Sequence, residues 1–465
     1  MTRHVTADAV VLGGGTSGVN AALQLARLGL DVALLEQRQM GAGGARWLNG
    51  VLAWQFERAG LAVPEPPEVH SPGGRTHFVS PAGRHGFTLE QGPTLDVDMR
   101  RLNERLLAEA RALGVQLFER AGAPRAELDQ GRMVSIELTV APEGGEPLEH
   151  RFDAPLFVDA TGRAGVLRRQ HPTLRGWCPE VRDDQLCSAA QHNYGVADPQ
   201  GALRFLDQHG ARPGEVIDWL GFAGGFSVLV VHVHEDLDEV AVLTGTLGDQ
   251  AWGSGTSILD LLRARQPWIG EPRFGGSGLI PLRRTYDRFT APGLALVGDA
   301  ACQVFPAHGS GIGIGLIAGR MLAEAVERDG LTRADDDGDP GSEQTLWDYQ
   351  ASFLREHGGT LAAYDALRRL STRLDSPGVQ QMFDAGLFDE ATAGAGLDQR
   401  WNPPEPAALR ARARALATRP GLAAVMVPYL ARAAAALPLY ARYPEVADER
   451  ELRRWSLAAR ATLGS

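Results

Sequence analysis

Three glycines, Gly13, Gly15 and Gly18, stand between a short aliphatic run, Ala9–Leu12, and a stretch whose apolar residues have helical spacing, Ala21–Leu28. Gly29 closes that helix, and Asp31–Leu35 reads as a second strand with Glu36 at its end. Strand, tight glycine turn, helix and strand make a βαβ unit of the dinucleotide-binding kind. Gly13 permits the sharp turn, Gly15 lets the backbone approach a pyrophosphate, and Gly18 lets the helix pack on the strand. Free N–H groups at the positive helix end would hold the phosphate charge. Glu36 would accept hydrogen bonds from ribose hydroxyls. This motif alone does not separate FAD from NAD.

The remaining bulk properties narrow the class. A chain of 465 residues with 44% hydrophobic residues can bury a large core in two or three intertwined units. The formal net charge of −11 argues against a nucleic-acid partner or a general anionic-membrane surface. Cys178, Cys187 and Cys302 form no CxxC, so a disulfide scaffold or structural zinc site is not expected. The N-terminus runs into a strand without the apolar core of a signal peptide. The apolar stretch Leu422–Tyr443 is interrupted by Pro428, Arg432, Pro438 and Arg442, so no integral membrane segment is expected. The expectation is a soluble, cytoplasmic protein.

Along the chain, Gly41–Gly60 is rich in Gly and Trp with little regular pattern, and His70–Thr88 reads as a punctuated pair of strands. Asp98–Leu113 has strong helical periodicity; Val115–Phe118, Met133–Val140 and Pro155–Val158 read as strands. Alternating runs between Gln185 and Pro281 predict an antiparallel sheet. Leu294–Val297 returns to a buried, parallel-type strand, followed by a glycine-rich loop and a helix through Val326. Asp335–Pro340 is an acidic loop, and the rest is Ala-, Leu- and Arg-rich and helical. The expected organisation is a nucleotide-binding part over 1–180 with an inserted segment at about 60–95. A sheet domain over 181–285, a second nucleotide-binding part over 286–330 and a helical region over 331–465 follow.

A second motif lies far from the first. Leu294–Leu296 leads to Gly298-Asp299, and Pro306-Ala-His308-Gly309-Ser-Gly311-Ile312-Gly313 then opens an apolar helix, which makes a second anion-friendly turn. A third segment, Phe157-Val-Asp159-Ala-Thr-Gly162-Arg-Ala-Gly165, lies between the two. On these three segments the chain resembles the FAD-dependent oxidoreductases of the aromatic-hydroxylase fold, which also includes geranylgeranyl reductases and flavin-dependent halogenases. The resemblance implies an α/β fold: a Rossmann-like FAD-binding domain, an interleaved antiparallel β-sheet substrate domain and a C-terminal helical region. It also implies that FAD is the cofactor and that Gly298-Asp299 meets its ribitol or pyrophosphate bridge. The backbone from Gly309 through Gly311 to Ile312 would face the flavin pyrimidine edge and favour negative charge on reduced flavin. Gly43 and Gly44 would run close against the isoalloxazine. Relatives carry a flavin-contacting arginine whose position falls here on Met99, with Arg100 as the adjacent candidate and Arg101 beside it. The loop Gly41–Trp47 lacks the cysteine that geranylgeranyl reductases often carry.

No second strand-linked GxGxxG and no redox cysteine pair are present. Electrons would come from substrate, from transiently bound NAD(P)H or from another external electron donor. The leading expectation is a monooxygenase that hydroxylates a largely apolar organic substrate through a flavin hydroperoxide. The alternatives are a reductase or dehydrogenase of carbon–carbon double bonds, a maturation factor acting on a peptide, and a halogenase, whose Trp-x-Trp-x-Ile-Pro signature is missing. His308 is the candidate catalytic group, as a proton donor or a donor to a flavin oxygen, against a plain loop-stabilising hydrogen bond. Trp47, Trp54, Trp219, Phe222 and Phe226 are candidate pocket walls. His232 and His234 share a sheet face but lack a third ligand, so no metal is expected.

Overall fold

Ala9–Leu12, Val32–Leu35 and Leu156–Asp159 are buried on both faces, the condition of parallel strands covered by helices. The computed structural model describes residues 2–71, 73–141, 144–223, 227–247, 253–329 and 338–464. Phe226, Trp252 and the acidic residues Asp335 to Asp337 lie outside them. The strands form a six-stranded sheet in the order Thr290–Ala291, Leu294–Leu296, Leu156–Asp159, Ala9–Leu12, Val32–Leu35, Gln116–Phe118. All neighbours are parallel except the first pair. The strand Leu294–Leu296 therefore returns to pair beside Leu156–Asp159, although more than a hundred residues of chain separate them. This is the Rossmann-like half of the fold.

The seven-stranded sheet runs in the order Ile269–Pro281, Leu186–Val196, Glu239–Leu247, Ser227–Val233, Val216–Leu220, Thr76–Val79, His85–Leu89. It is antiparallel except where Val216–Leu220 meets Thr76–Val79. The hairpin from the inserted segment thus extends this sheet. One face is the second core, with Ile217, Leu229, Val231, Val240 and Val242 packed against Phe205 and Leu206. On the other face Ile280 meets Gly309 and Gly276 meets Trp47, while at the far strands Phe78, Phe87 and Leu220 pack against Phe383 and Phe388 of the C-terminal region.

Several elements escaped sequence pattern, among them the helices Pro199–Gln208 and Gly255–Arg265 inside the stretch read as sheet. Leu48–Leu52 is a strand and Ala53–Arg58 a short helix, inside the stretch with no visible periodicity. The strand pairs with Thr94–Asp98, which also carries Val69–Ser71, so a local three-stranded sheet supplies its regularity. In the C-terminal region the helix Pro420–Tyr440 runs through both Pro428 and Pro438.

The C-terminal helices are locked to the segment that returns the chain from one sheet to the other. Arg284 and Asp287 form an ion pair in which both side chains are about 5% exposed. The Asp287 carboxylate also accepts from Ser456 Oγ at 2.6 Å, Arg284 donates to the Tyr440 hydroxyl at 3.2 Å, and the Tyr443 hydroxyl donates to the Asp287 carbonyl at 2.8 Å. Burial alone would raise the Asp287 pKa; the charge and hydrogen bonds of Arg284 outweigh it and hold the carboxyl below its usual range. Asp287→Ala removes the carboxylate that balances a buried guanidinium charge and should cost about 3–5 kcal/mol of stability, read from urea denaturation. Because the folded pKa lies below the unfolded one, the wild-type contribution is present above the usual aspartate pKa. It disappears as pH falls through the lowered value. The gap between wild type and variant should therefore narrow in acid.

Candidate active site

The two glycine turns meet through the helices they open. Gly13 has φ +109, and a Cβ there would stand 2.3 Å from the Ala160 carbonyl, so the first turn presses on the turn after Asp159. A Cβ on Gly18 would stand 2.0 Å from the Gly13 oxygen. The helix Thr16–Arg27 then lies against the helix Ile312–Arg328. At the contact, a Cβ on Gly315 would fall 2.0 Å from Ser17 Oγ, and one on Gly298 2.9 Å from it. Asn20 Nδ2 donates to the Leu316 carbonyl at 2.7 Å, fixing the register. Ser17, at the start of the first helix, thus touches the Gly298-Asp299 turn directly.

Both helix starts are open to an anion. Neither has a side-chain cap, and neither carries an acid in its first turn. Between them sits Asp299. Its carboxylate has no hydrogen-bond donor among the described residues, and burial lifts its pKa to about 6. A Cβ on Gly311 would come within 3.2 Å of Asp299 Oδ1, which joins the second turn to the same acid. The turn itself is braced from below: Gln303 Oε1 accepts from Gly298 N at 2.7 Å, and Tyr349 accepts from Gln303 and donates to the Leu296 carbonyl, each at 3.0 Å. Two uncapped helix ends and a partnerless acid in a row fit an extended, doubly anionic dinucleotide.

Glu36 is buried at the end of its strand, where Oε2 accepts from Gly14 N at 2.7 Å and Oε1 from Arg38 N at 2.8 Å. Each oxygen keeps a lone pair for a ribose hydroxyl. Gly43 lies against Glu36 and Gly14, and Gly44 against Gly15, so the loop after Glu36 folds back over the first turn. Asp159 is fully used locally: it accepts from Thr161 N and Oγ1, and from Leu167 and Arg168 N. It shapes the turn on which Gly13 rests.

Arg100 is held by Asp98, Nη2 to Oδ2 at 2.6 Å, and its guanidinium lies 4.1 Å from the Phe274 ring centroid. Met99 is fully buried. From that helix Asn103 reaches the first glycine turn: its Nδ2 donates to the Gly14 carbonyl at 3.2 Å, and its Oδ1 is buried without a partner among the described residues. Sequence reading missed Asn103; the signal was an amide one position after Leu102 on an otherwise apolar helix face.

The second turn looks across at the sheet. Gly309 has φ +78 and approaches Ile280 and Leu282. These belong to a small apolar cluster with Cys187, Leu247 and Val304. His308 packs on Phe305 and lies with Nε2 3.3 Å from the Gly396 carbonyl, which ties the turn to the helix Glu390–Leu397. The ring is exposed; its surroundings lower its pKa, with the Gly396 bond acting in the opposite sense. The imidazole is therefore neutral near pH 7. Of its two expected roles, the loop tie is the one with a partner in place.

Pairing registers set Asp218, Val230, Leu243, Gln191 and Gly276 in one row across the sheet face that looks toward these turns. Trp47 packs on Gly276 at one end of the row. Asp218 Oδ1 and Gln191 Oε1 are buried without partners among the described residues, and desolvation raises the Asp218 pKa to about 7. Trp219, next to Asp218, points to the opposite face, where it meets Phe222 and His209. Trp54 donates to the Asp398 carbonyl at 3.2 Å. The far end of this face is polar. There His70, Asn193 and Arg273 all bond Glu239 and hold its pKa down to about 2, the His70 bond contributing most. His232 lies 3.5 Å from Asp96, while His234 approaches Asp236 and Asp238.

Comparison with known proteins agrees with this geometry. A family model described as FAD dependent oxidoreductase matches residues 8–174. The chain is 41% identical to a menaquinone reductase of Mycolicibacterium smegmatis over 412 residues, 84% of this chain and 90% of that protein. It is 29% identical to digeranylgeranylglycerophospholipid reductase 2 of Methanopyrus kandleri, over 69% of this chain and 78% of the relative. Among solved structures, a geranylgeranyl bacteriochlorophyll reductase-like protein of Thermoplasma acidophilum shares the fold. Its TM-score is 0.68 at 16% identity, covering 92% of this chain and all of that one. The chain belongs to the FAD-dependent oxidoreductases, in the family of the menaquinone reductase.

Proposed function

We propose that this protein reduces a carbon–carbon double bond in the polyprenyl chain of a membrane lipid, with a menaquinone as the leading substrate. One observation carries the reading: the 41% identity to a menaquinone reductase along 84% of the chain. Menaquinone and digeranylgeranylglycerophospholipid differ at their head groups and share a polyprenyl chain, so the chain is the common reacting part. The apolar cluster of Cys187, Leu247, Ile280 and Leu282 beside the Gly309 turn suits such a chain. The reductase reading thereby overtakes the monooxygenase reading that led from sequence. Electrons come from outside the protein, from NAD(P)H or another external donor.

When bound, FAD supplies the hydride. Saturation of the double bond also needs a proton on the neighbouring carbon. Asp218 is the group we assign to deliver it, directly or through a water. Its Oδ1 has no partner among the described residues, and with a pKa of about 7 about half of the carboxyls carry a proton at neutral pH, a larger share than for His308, whose pKa is lowered. Val230 and Leu243 beside it in the row keep the site apolar and sustain that shift. His308 positions the Gly309 turn through Gly396.

Anaerobic turnover of the dithionite-reduced protein with menaquinone should yield a product heavier by one hydrogen pair that survives exposure to air. After re-oxidation in air, recovery of menaquinone with its mass unchanged would remove the proposal, and so would incorporation of oxygen into the product in a parallel aerobic assay with NAD(P)H, the mark of a monooxygenase. Asp218→Asn should lower the rate of double-bond reduction by roughly a hundredfold or more. It should also remove the fall in wild-type rate as pH rises past about 7. The same substitution has a second readout. A folded pKa above the unfolded one means the carboxyl's contribution is fully favourable only below pH 4 or so, and is lost as pH rises through about 7. Asp218→Asn should therefore melt higher than wild type at pH 8, and a lower melting point there would show that the acid is structural.

A further inference from the structure

The helix Pro420–Tyr440 is long and apolar enough to cross a membrane by length and composition, with a mean hydropathy of 1.6, yet only 22% of that stretch is buried. Its buried arc, Leu422, Met426, Ala433, Ala436 and Tyr440, packs on the protein, chiefly against the helix Gly359–Ser371. The opposite arc carries Ala424, Val427, Pro428, Ala431, Ala434 and Pro438, all exposed and all apolar. Val427 is 51% exposed and Leu430, at the edge of this arc, 38%. The preceding helix, Pro406–Ala417, continues the pattern with Leu409 at 58% exposure. A water-facing helix of this length without a single acid or amide on its outer arc is not a solvated surface.

Charge indicates what covers it. From Pro406 to Arg442 the sequence holds six arginines and no acid, in a chain whose net charge is −11. Arg412 is paired with Asp389, but Arg410 and Arg414 are exposed and have no acidic partner among the described residues. Arginines beside an apolar helix face match lipid phosphates beside acyl chains. A second copy of the chain is a poor occupant, since a two-fold contact would set this basic strip against itself. Spanning is equally poor. Pro428 and Pro438 deprive the Ala424 and Ala434 carbonyls of their helical partners, which suits a hydrated interface and not a hydrocarbon core, and one whole side of the helix is already bound to protein.

We propose that the outer arc of Pro420–Tyr440 docks the protein on an anionic phospholipid membrane, the helix lying in the interface plane with Arg410 and Arg414 against lipid phosphates. A polyprenyl substrate resides in such a membrane, but the surface stands on its own observations and is tested without substrate. The FAD-loaded protein is floated with vesicles of equal parts phosphatidylglycerol and phosphatidylcholine, and with phosphatidylcholine alone. Binding should favour the anionic vesicles and weaken with salt. Val427→Glu, a change on the exposed arc, should lower the bound fraction about tenfold or more, and Arg410→Ala with Arg414→Ala should remove most of the anionic preference. Flavin content and melting temperature of each variant should match wild type. Equal flotation of wild type and Val427→Glu overturns the proposal. So does absence of binding to either vesicle, or a wild-type dimer in sedimentation that Val427→Glu dissociates.

Discussion

The site depends on one contact, the close approach of the helices Thr16–Arg27 and Ile312–Arg328. Each is the continuation of a glycine turn, and the turns can face a common ligand only if the helices touch near their N-termini. Gly315 and Gly298 leave room for Ser17, Gly319 lets the backbone at Ala21 come near, and the Asn20 amide to the Leu316 carbonyl sets the register. A methyl group at 315 would overlap Ser17 Oγ. Packing at this one seam therefore decides whether two distant stretches of sequence make one binding site. The parallel pairing of Leu294–Leu296 with Leu156–Asp159 delivers the second turn to the first.

From that seam outward the chemistry grades with the surroundings. Near the helix ends the backbone offers uncapped donors, and Asp299 stands among them without a donor of its own. Across from the second turn the sheet is apolar at Cys187, Leu247 and Ile280, and polar at the other end around Glu239. Asp218 lies along the row between, a carboxyl whose pKa burial raises to about 7. For the proposed double-bond reduction, the apolar cluster beside the Gly309 turn and the Asp218 carboxyl are what the protein would supply.

Much of this was legible in the sequence where local spacing and chemistry coincide. Gly13, Gly15, Gly18 and Glu36 announced the first turn, because a glycine turn between strand and helix has few other uses. Gly298, Asp299, Gly309 and Gly311 were readable for the same reason, and the alternating runs between Gln185 and Pro281 gave the sheet. What stayed hidden came from long-range pairing. The strand Leu48–Leu52 has regularity only through Thr94–Asp98, and the hairpin at Thr76–Leu89 reveals its place only through Val216–Leu220. Asp218 looks like an ordinary strand acid beside Trp219 until the register shows that the two point to opposite faces. The outer arc of Pro420–Tyr440 was masked by its two prolines and Arg432, which read as breaks although the helix continues through them.

The most direct measurement is calorimetric titration of the apoprotein with FAD, wild type beside Gly315→Leu. The larger side chain should push the two helices apart without touching the seven-stranded sheet. Wild type should bind one FAD per chain and turn yellow. Gly315→Leu should lose that binding while keeping the far-ultraviolet dichroism of a folded α/β protein. A colourless wild type that takes up no FAD, or a folded variant that titrates like wild type, would contradict the convergence of the two turns on a single dinucleotide.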